Sequence, residues 1–91
     1  MRLRARQVIQ LLMPDVKIVV FTQPDCPPCR SVKIYLADKG LEFEERDVTT
    51  DQEAVRELVE TYQSRSTPTI VIGEKVMIGF DPEELDQILA K

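Results

Sequence analysis

The stretch Ile18-Val19-Val20-Phe21-Thr22 is apolar without a break up to its last residue, and three of the four side chains ahead of Thr22 are β-branched. A strand sends alternate side chains to opposite faces, so a strand apolar on both faces must be buried on both. With Val16 and Lys17 ahead of it, the run predicts a strand from Val16 to Thr22. Such a strand needs covering layers above and below, and that requirement dominates what the rest of the chain can do. Gln23-Pro24-Asp25 breaks the strand. Pro27 then stands where a first helical residue belongs, since its missing N–H is no loss there. Val32, Tyr35 and Leu36 follow at helical spacing, and Gly40 suits the positive φ that ends a helix.

Further on, Leu41 to Val48 alternates roughly and predicts a second, less buried strand. Thr50-Asp51-Gln52-Glu53 fits a capping box, ahead of the apolar stripe Ala54, Val55, Leu58, Val59 and Tyr62. Thr61 to Thr67 is polar and interrupts. Thr69 to Ile72 is a third strand and Val76 to Ile78 a fourth, separated by a tight turn at Gly73-Glu74, which makes them a hairpin. Asp81-Pro82-Glu83-Glu84 starts a last helix with a cap, a first-turn proline and acids at the positive end of the dipole. Leu85, Ile88 and Leu89 face the core. The order is β-α-β-α-β-β-α. A right-handed first crossover makes its two strands parallel. The expected fold is α/β: a mixed four-stranded sheet with helices on both faces.

Ninety-one residues make one domain, and a 43% hydrophobic content is ordinary for an ordered one. The strand pattern begins only at Val16, so residues 1–13 are expected to be an extension to a domain spanning 14–91. The extension has the basic-then-apolar order of a signal peptide, but Gln10 interrupts the apolar run and no small-residue cleavage site precedes Pro14-Asp15. No segment has the length to cross a membrane. A cytoplasmic location is expected. The net charge of −4 becomes more acidic once Arg2, Arg4 and Arg6 of the extension are set aside, which argues against nucleic acid as a partner. The chain has no histidine, the commonest general base and metal ligand.

Only two cysteines are present, Cys26 and Cys29. A short secreted chain usually carries several bridges, and a pair this close staples almost nothing. The pair calls for a chemical explanation. Cys26 falls at the start of a helix, where free N–H groups and the dipole favour a thiolate. One turn on, Cys29 is within bridging reach. Pro27 and Pro28 have no N–H to offer the Cys26 sulfur, which leaves the amides of Cys29 and Arg30. Arg30 and Lys33 add positive charge nearby; Asp25 opposes it. The expected chemistry is attack of Cys26 on a substrate disulfide, then release of the product by Cys29. Two other readings stay open. Zinc wants four ligands, so a metal or iron–sulfur site would have to pool the cysteines of two chains; alternatively, two cysteines that are only buried would be inert. Thr67-Pro68-Thr69 also has two readings: an edge proline, or a cis bond that presents the Thr67 backbone to a substrate.

Cys26-Pro27-Pro28-Cys29 after a strand, Thr67-Pro68 before the third strand and Gly79-Phe80-Asp81 before the last helix together resemble the glutaredoxin family of the thioredoxin superfamily. The likeness runs from Val16 to about Leu89. It implies a thiol–disulfide oxidoreductase, monomeric, with no bound cofactor and no metal, acting on disulfide-containing proteins or glutathione mixed disulfides. It also implies that Pro68 is cis and packs on the Cys26 loop. Glutathione, as co-substrate, would lie along a groove bordered by Pro27, Pro28, Gly79 and Phe80, with the Thr67 backbone pairing to its peptide, Arg65 approaching a carboxylate and Asp81 receiving the amine. Arg65 and Asp81 have plainer readings, as a solvated charge and a helix cap, and Phe80 is either a staple on the last helix or an exposed partner-docking surface. Tyr35 and Tyr62 fit core positions. Two departures stand out. Gln23 occupies the place where glutathione-using members carry a lysine, and Ile78-Gly79 replaces a pair of glycines. In these respects the chain resembles the redoxins that serve ribonucleotide reductase and are recharged by thioredoxin reductase.

Overall fold

The computed structural model describes residues 17–90; the expected extension and its boundary, together with Val16, lie outside them. Strand β1 (Ile18–Thr22) is buried along its whole length. It is central: the sheet order is β2-β1-β3-β4, with β1 parallel to β2 (Glu44–Asp47) and antiparallel to β3 (Thr69–Ile72), and β3 antiparallel to β4 (Lys75–Ile78). The alternation of β1 divides the core. Ile18 and Val20 join Ile70, Ile72 and Met77 under helix α1 (Pro27–Asp38) and helix α3 (Pro82–Leu89), which contribute Val32, Leu36 and Leu85. Val19, Phe21 and Val71 face the other way, under Ala54 and Leu58 of helix α2 (Gln52–Arg56) and the π-helical turn Glu57–Thr61 that prolongs it. The thioredoxin-like arrangement expected from the sequence is the one found.

The ends of the elements follow the residue types. Helix α1 stops in a Schellman motif: Gly40 takes φ 71°, its N–H donates to Ala37 O at 3.0 Å and the Leu41 N–H to Leu36 O at 3.0 Å. That closure accounts for the one strand whose bounds differ markedly from expectation. Pairing starts at Glu44 rather than Leu41, because Leu41 completes the helix end while it and Phe43 turn into the α1–α3 core. The expected capping box is also displaced. Asp51, not Thr50, caps α2, its carboxylate accepting from the Glu53 and Ala54 amides. At the hairpin, Gly73 takes φ 58°, the positive value a two-residue connection requires at its first central position.

Polar ties differ between the two faces. Over α2, Arg46 of β2 reaches Glu57 at 3.0 Å, Glu44 at 3.4 Å and Asp51 at 3.5 Å, with its guanidinium above the Phe21 ring. Beside α1, Lys33 meets Glu45 of β2 at 3.0 Å, and the buried Thr22 hydroxyl donates to the same carboxylate at 2.8 Å. These two bonds, Lys33's first, hold Glu45 below the usual glutamate pKa range.

Candidate active site

Helix α1 begins at the carboxyl end of β1, and Cys26 is its N-cap, with extended φ −119° and ψ 95°. Pro27 and Pro28 fill the first helical positions, where no N–H is needed. Cys26 and Cys29 form a disulfide, with Cα atoms 5.2 Å apart. Cys26 is 8% exposed and Cys29 only 2%, so the first sulfur is the one a partner can reach. The Cys29 N–H donates to Cys26 Sγ at 3.3 Å. The second amide expected to serve the sulfur does not: the Arg30 N–H is taken by Cys26 O at 3.1 Å, the first bond of the helix. Lys33 is likewise drawn away to Glu45. What α1 itself offers the Cys26 anion is therefore narrower than the sequence suggested: one amide, the helix dipole and Arg30 in solvent.

Opposite Cys26 stands the loop before β3. The Thr67-Pro68 peptide is cis. Thr67 O and Thr67 Oγ1 each lie 3.8 Å from Cys26 Sγ, which brings together the two motifs that are 41 residues apart in sequence. Pro68 O accepts from the Gly79 N–H at 2.8 Å, so the turn before α3 is tied to the same loop. Gly79 has φ 88°, a value side-chain-bearing residues rarely adopt. Cys26, Thr67, Pro68 and Gly79 are thus joined by direct contacts.

The remaining predicted residues sit around this centre less tightly. Arg65 is exposed and has no ion-pair partner among the described residues. Asp81 caps α3: its Oδ1 accepts from the Glu83 amide at 3.1 Å and the Glu84 amide at 3.3 Å. Phe80 is half-buried, edge-on to Tyr35 with centroids 5.5 Å apart, and packs on the cluster that contains Leu85. The staple reading fits it better than a free docking ring. Tyr62 packs on Phe21, as a core residue would. Two features of the site go beyond the sequence reading. Asp25, next to Cys26, takes φ 58°, a conformation that aspartate tolerates better than most and that the Pro24-Asp25 pair signals as a turn. Ser64 and Thr69 are buried behind the Thr67 loop; no local pattern marks a serine in a polar stretch as buried.

A disulfide at the head of a helix, faced by a cis-proline loop across the end of a central strand, defines a thioredoxin-like redox protein. The glutaredoxin family model matches residues 18–77, and the chain belongs to that family. A crystal structure of the thioredoxin-like protein BC3987 aligns at 49% identity and TM-score 0.76, covering 79% of this chain and 99% of that one. Gene 56 protein of Mycobacterium phage L5 is 33% identical over 73 residues, 79% of this chain and 71% of the relative. The glutaredoxin-like NrdH-redoxin of Escherichia coli aligns at 26% identity and TM-score 0.70, covering 79% and 93% of the two chains. The chain is a glutaredoxin-like redox protein of the thiol–disulfide oxidoreductase class. Among the described residues no helix is long and apolar enough to cross a membrane.

Proposed function

We propose that this protein is a dithiol reductase of protein disulfides, with Cys26 as nucleophile and Cys29 as resolving thiol. The observation that carries the reading is the asymmetry of the pair: Cys26 at the rim with an amide donated to its sulfur, Cys29 buried one turn behind it. The Cys26 thiolate attacks one sulfur of a substrate disulfide; the substrate S–S bond breaks and the departing thiolate takes a proton. Cys29, deprotonated, then attacks Cys26 Sγ. The mixed disulfide breaks, the second substrate thiol leaves, and the Cys26–Cys29 disulfide remains. Two electrons have passed to the substrate. The second step is fast because the attacking thiol is already in place.

The oxidised form needs an external reductant. We infer that thioredoxin reductase, rather than glutathione, supplies it. Gln23 puts no cation where a glutathione carboxylate would need one, and Arg65 alone remains. The related NrdH-redoxin, described as having a thioredoxin-like activity profile, favours the same inference. Asp81 would have only the oxygen not used in capping for a ligand amine, and glutathione is then a weak co-substrate held by the Thr67 backbone, Arg65 and that oxygen. The proposed protein works in the cytoplasm as a monomer, on disulfide-bearing proteins such as ribonucleotide reductase.

Cys29→Ser should accumulate mixed disulfides that Cys26→Ser does not; a Cys29→Ser protein that traps none overturns the mechanism. Turnover with NADPH and thioredoxin reductase should exceed turnover with glutathione and its reductase. Saturable turnover at low glutathione would reverse the choice of electron source. A coloured or metal-bearing dimer from the same preparation would instead support the pooled-cysteine carrier.

A further inference from the structure

Behind the Thr67 loop, two hydroxyls lie in the core at 2% (Ser64) and 0% (Thr69) exposure. Thr69 Oγ1 donates to Ser66 O at 2.7 Å. Ser64 Oγ lies 2.8 Å from Thr69 Oγ1 and 3.3 Å from the same Ser66 O; with the Thr69 proton on Ser66 O, a Ser64 donor completes the shorter of these contacts. Ser64 Oγ in turn accepts from the Ser66 N–H at 3.3 Å. The shortest bonds then close a ring, Ser66 N–H to Ser64, Ser64 to Thr69 and Thr69 to Ser66 C=O, with the Ser64 Oγ–Ser66 O contact across it. It begins and ends on Ser66 and so holds the peptide planes on both sides of that residue. The next residue is Thr67, whose carbonyl and hydroxyl both face Cys26 Sγ.

We propose that Ser64 and Thr69 are positioning residues of the redox site, setting through Ser66 where Thr67 stands against the Cys26 sulfur. The proposal rests on the reading of Cys26 as nucleophile. Packing alone does not call for these hydroxyls. Thr69 lies on the strand face shared with Phe21 and Val71, where a valine of the same shape would fill the space, and a buried hydroxyl costs stability unless it is bonded. What the hydroxyls add is a fixed loop. Pro68 has no N–H; beyond Thr67 the chain is held by the Gly79 N–H on Pro68 O and by the pairing of Thr69 with Phe21 and Ile78. The hydroxyl network therefore restrains the near side of Thr67, and Gly79 with the sheet restrains the far side. With the ring intact, the Thr67 hydroxyl is held where it can donate to a Cys26 thiolate.

The test uses the full chain, reduced, with Thr69→Val, Ser64→Ala and the double variant. Leu58→Val, from the same core cluster, serves as the stability control. Two readouts are taken: the pH profile of Cys26 alkylation, and KM and kcat for insulin reduction. Each single variant should move the alkylation midpoint to higher pH, with a roughly threefold loss of rate below it, and should raise KM more than it lowers kcat. The double variant should lose more than either single, because Ser64 and Thr69 can each still reach Ser66 O when the other hydroxyl is gone. Thr69→Ser keeps the hydroxyl and should restore the wild-type profile. Should Thr69→Val fail to fold, Ser64→Ala with Ser64→Thr as its rescue carries the same comparison. Variants that melt earlier, as Leu58→Val does, yet keep the wild-type midpoint and KM overturn the proposal, as does a double variant no worse than either single. A wild type that reduces no insulin overturns the functional reading itself, and this proposal with it; failure of the proposal alone leaves the wild type active.

Discussion

On one face of the sheet, Val32, Leu36 and Leu85 press on Ile18, Val20, Ile70, Ile72 and Met77 with Tyr35, Phe80, Ile88 and Leu89 around them. On the other, α2 and its π turn bring only Ala54 and Leu58 to Val19, Phe21 and Val71, with Val48 and Tyr62 at the margin. The second face makes up the difference with polar ties: Arg46 held by three carboxylates, and the hydroxyl ring behind Thr67. Each face holds one half of the active site. Cys26 and Cys29 ride on α1, fixed by apolar packing that any well-filled core supplies. The Thr67 loop follows the α2 side, fixed by directional bonds between named atoms. Packing tolerates changes of shape that conserve volume, whereas a bond network weakens with each polar atom removed.

The sharpest way to break this contrast is to cut a large side chain from each face. Leu36→Ala, fully buried under α1, should cost about 3 kcal/mol and lower the thermal midpoint by more than 10 °C for a domain this small. Denaturant melts of the oxidised protein check it. Leu58→Ala should cost less, about 2 kcal/mol, because its cluster is smaller and more open. If the two losses are equal, the faces do not differ as described. Next in size is Arg46→Ala. Its side chain is 22% exposed and serves three acids, so about 1–1.5 kcal/mol should go, against roughly 0.3 kcal/mol for Arg56→Ala, whose pairs with Glu53 and Glu60 are in solvent. Smaller again are the caps. Asp51→Ala and Asp81→Ala should each cost about 1 kcal/mol. Asp51→Ala should cost slightly more than Asp81→Ala, since it also releases Arg46. Under the proposed function Asp81→Ala should also lower any residual glutathione turnover, and Asp51→Ala should not.

The sequence made one face far more readable than the other. A continuous apolar β1, prolines at the first helical positions and a glycine at the helix end are local signals, and each has a single structural meaning. They were enough for the sheet, the three helices and the place of the cysteine pair. The α2 side depends on groups that meet only after folding. Nothing near Arg46 announces Glu57, and nothing near Ser64 announces Thr69 as its partner. The same holds for the sulfur's donors. Counting amides left by the prolines gives two candidates, but the count does not reveal that the Arg30 N–H closes the first helical turn. Alternation places Leu41 and Phe43 in a strand, because it looks the same whether a residue pairs or turns into the core.

Glu45 offers the finest test, because it joins the cysteine-bearing helix to the sheet by polar bonds on the side otherwise governed by packing. Its carboxylate accepts from Lys33 and Thr22, and these hold its pKa below the ordinary glutamate range in the folded state. A pKa depressed by folding means that the carboxylate stabilises the fold fully above the unfolded value, and that this contribution fades as pH falls through the folded one. The window is therefore acidic, below the normal glutamate range, and nothing should change near neutrality. Glu45→Gln should flatten the acid side of the stability–pH curve without altering its neutral plateau by more than a few tenths of a kcal/mol, since the group is 41% exposed and its Lys33 pair is screened. Asp47, held low by the Thr49 hydroxyl and amide, stays in the variant and keeps part of the acid slope. Equal flattening by Lys33→Met would show that the ion pair carries the shift. A Glu45→Gln curve that superimposes on the wild type down to pH 3 would show instead that this side of the molecule rests on packing alone, and that the contrast between the faces is complete.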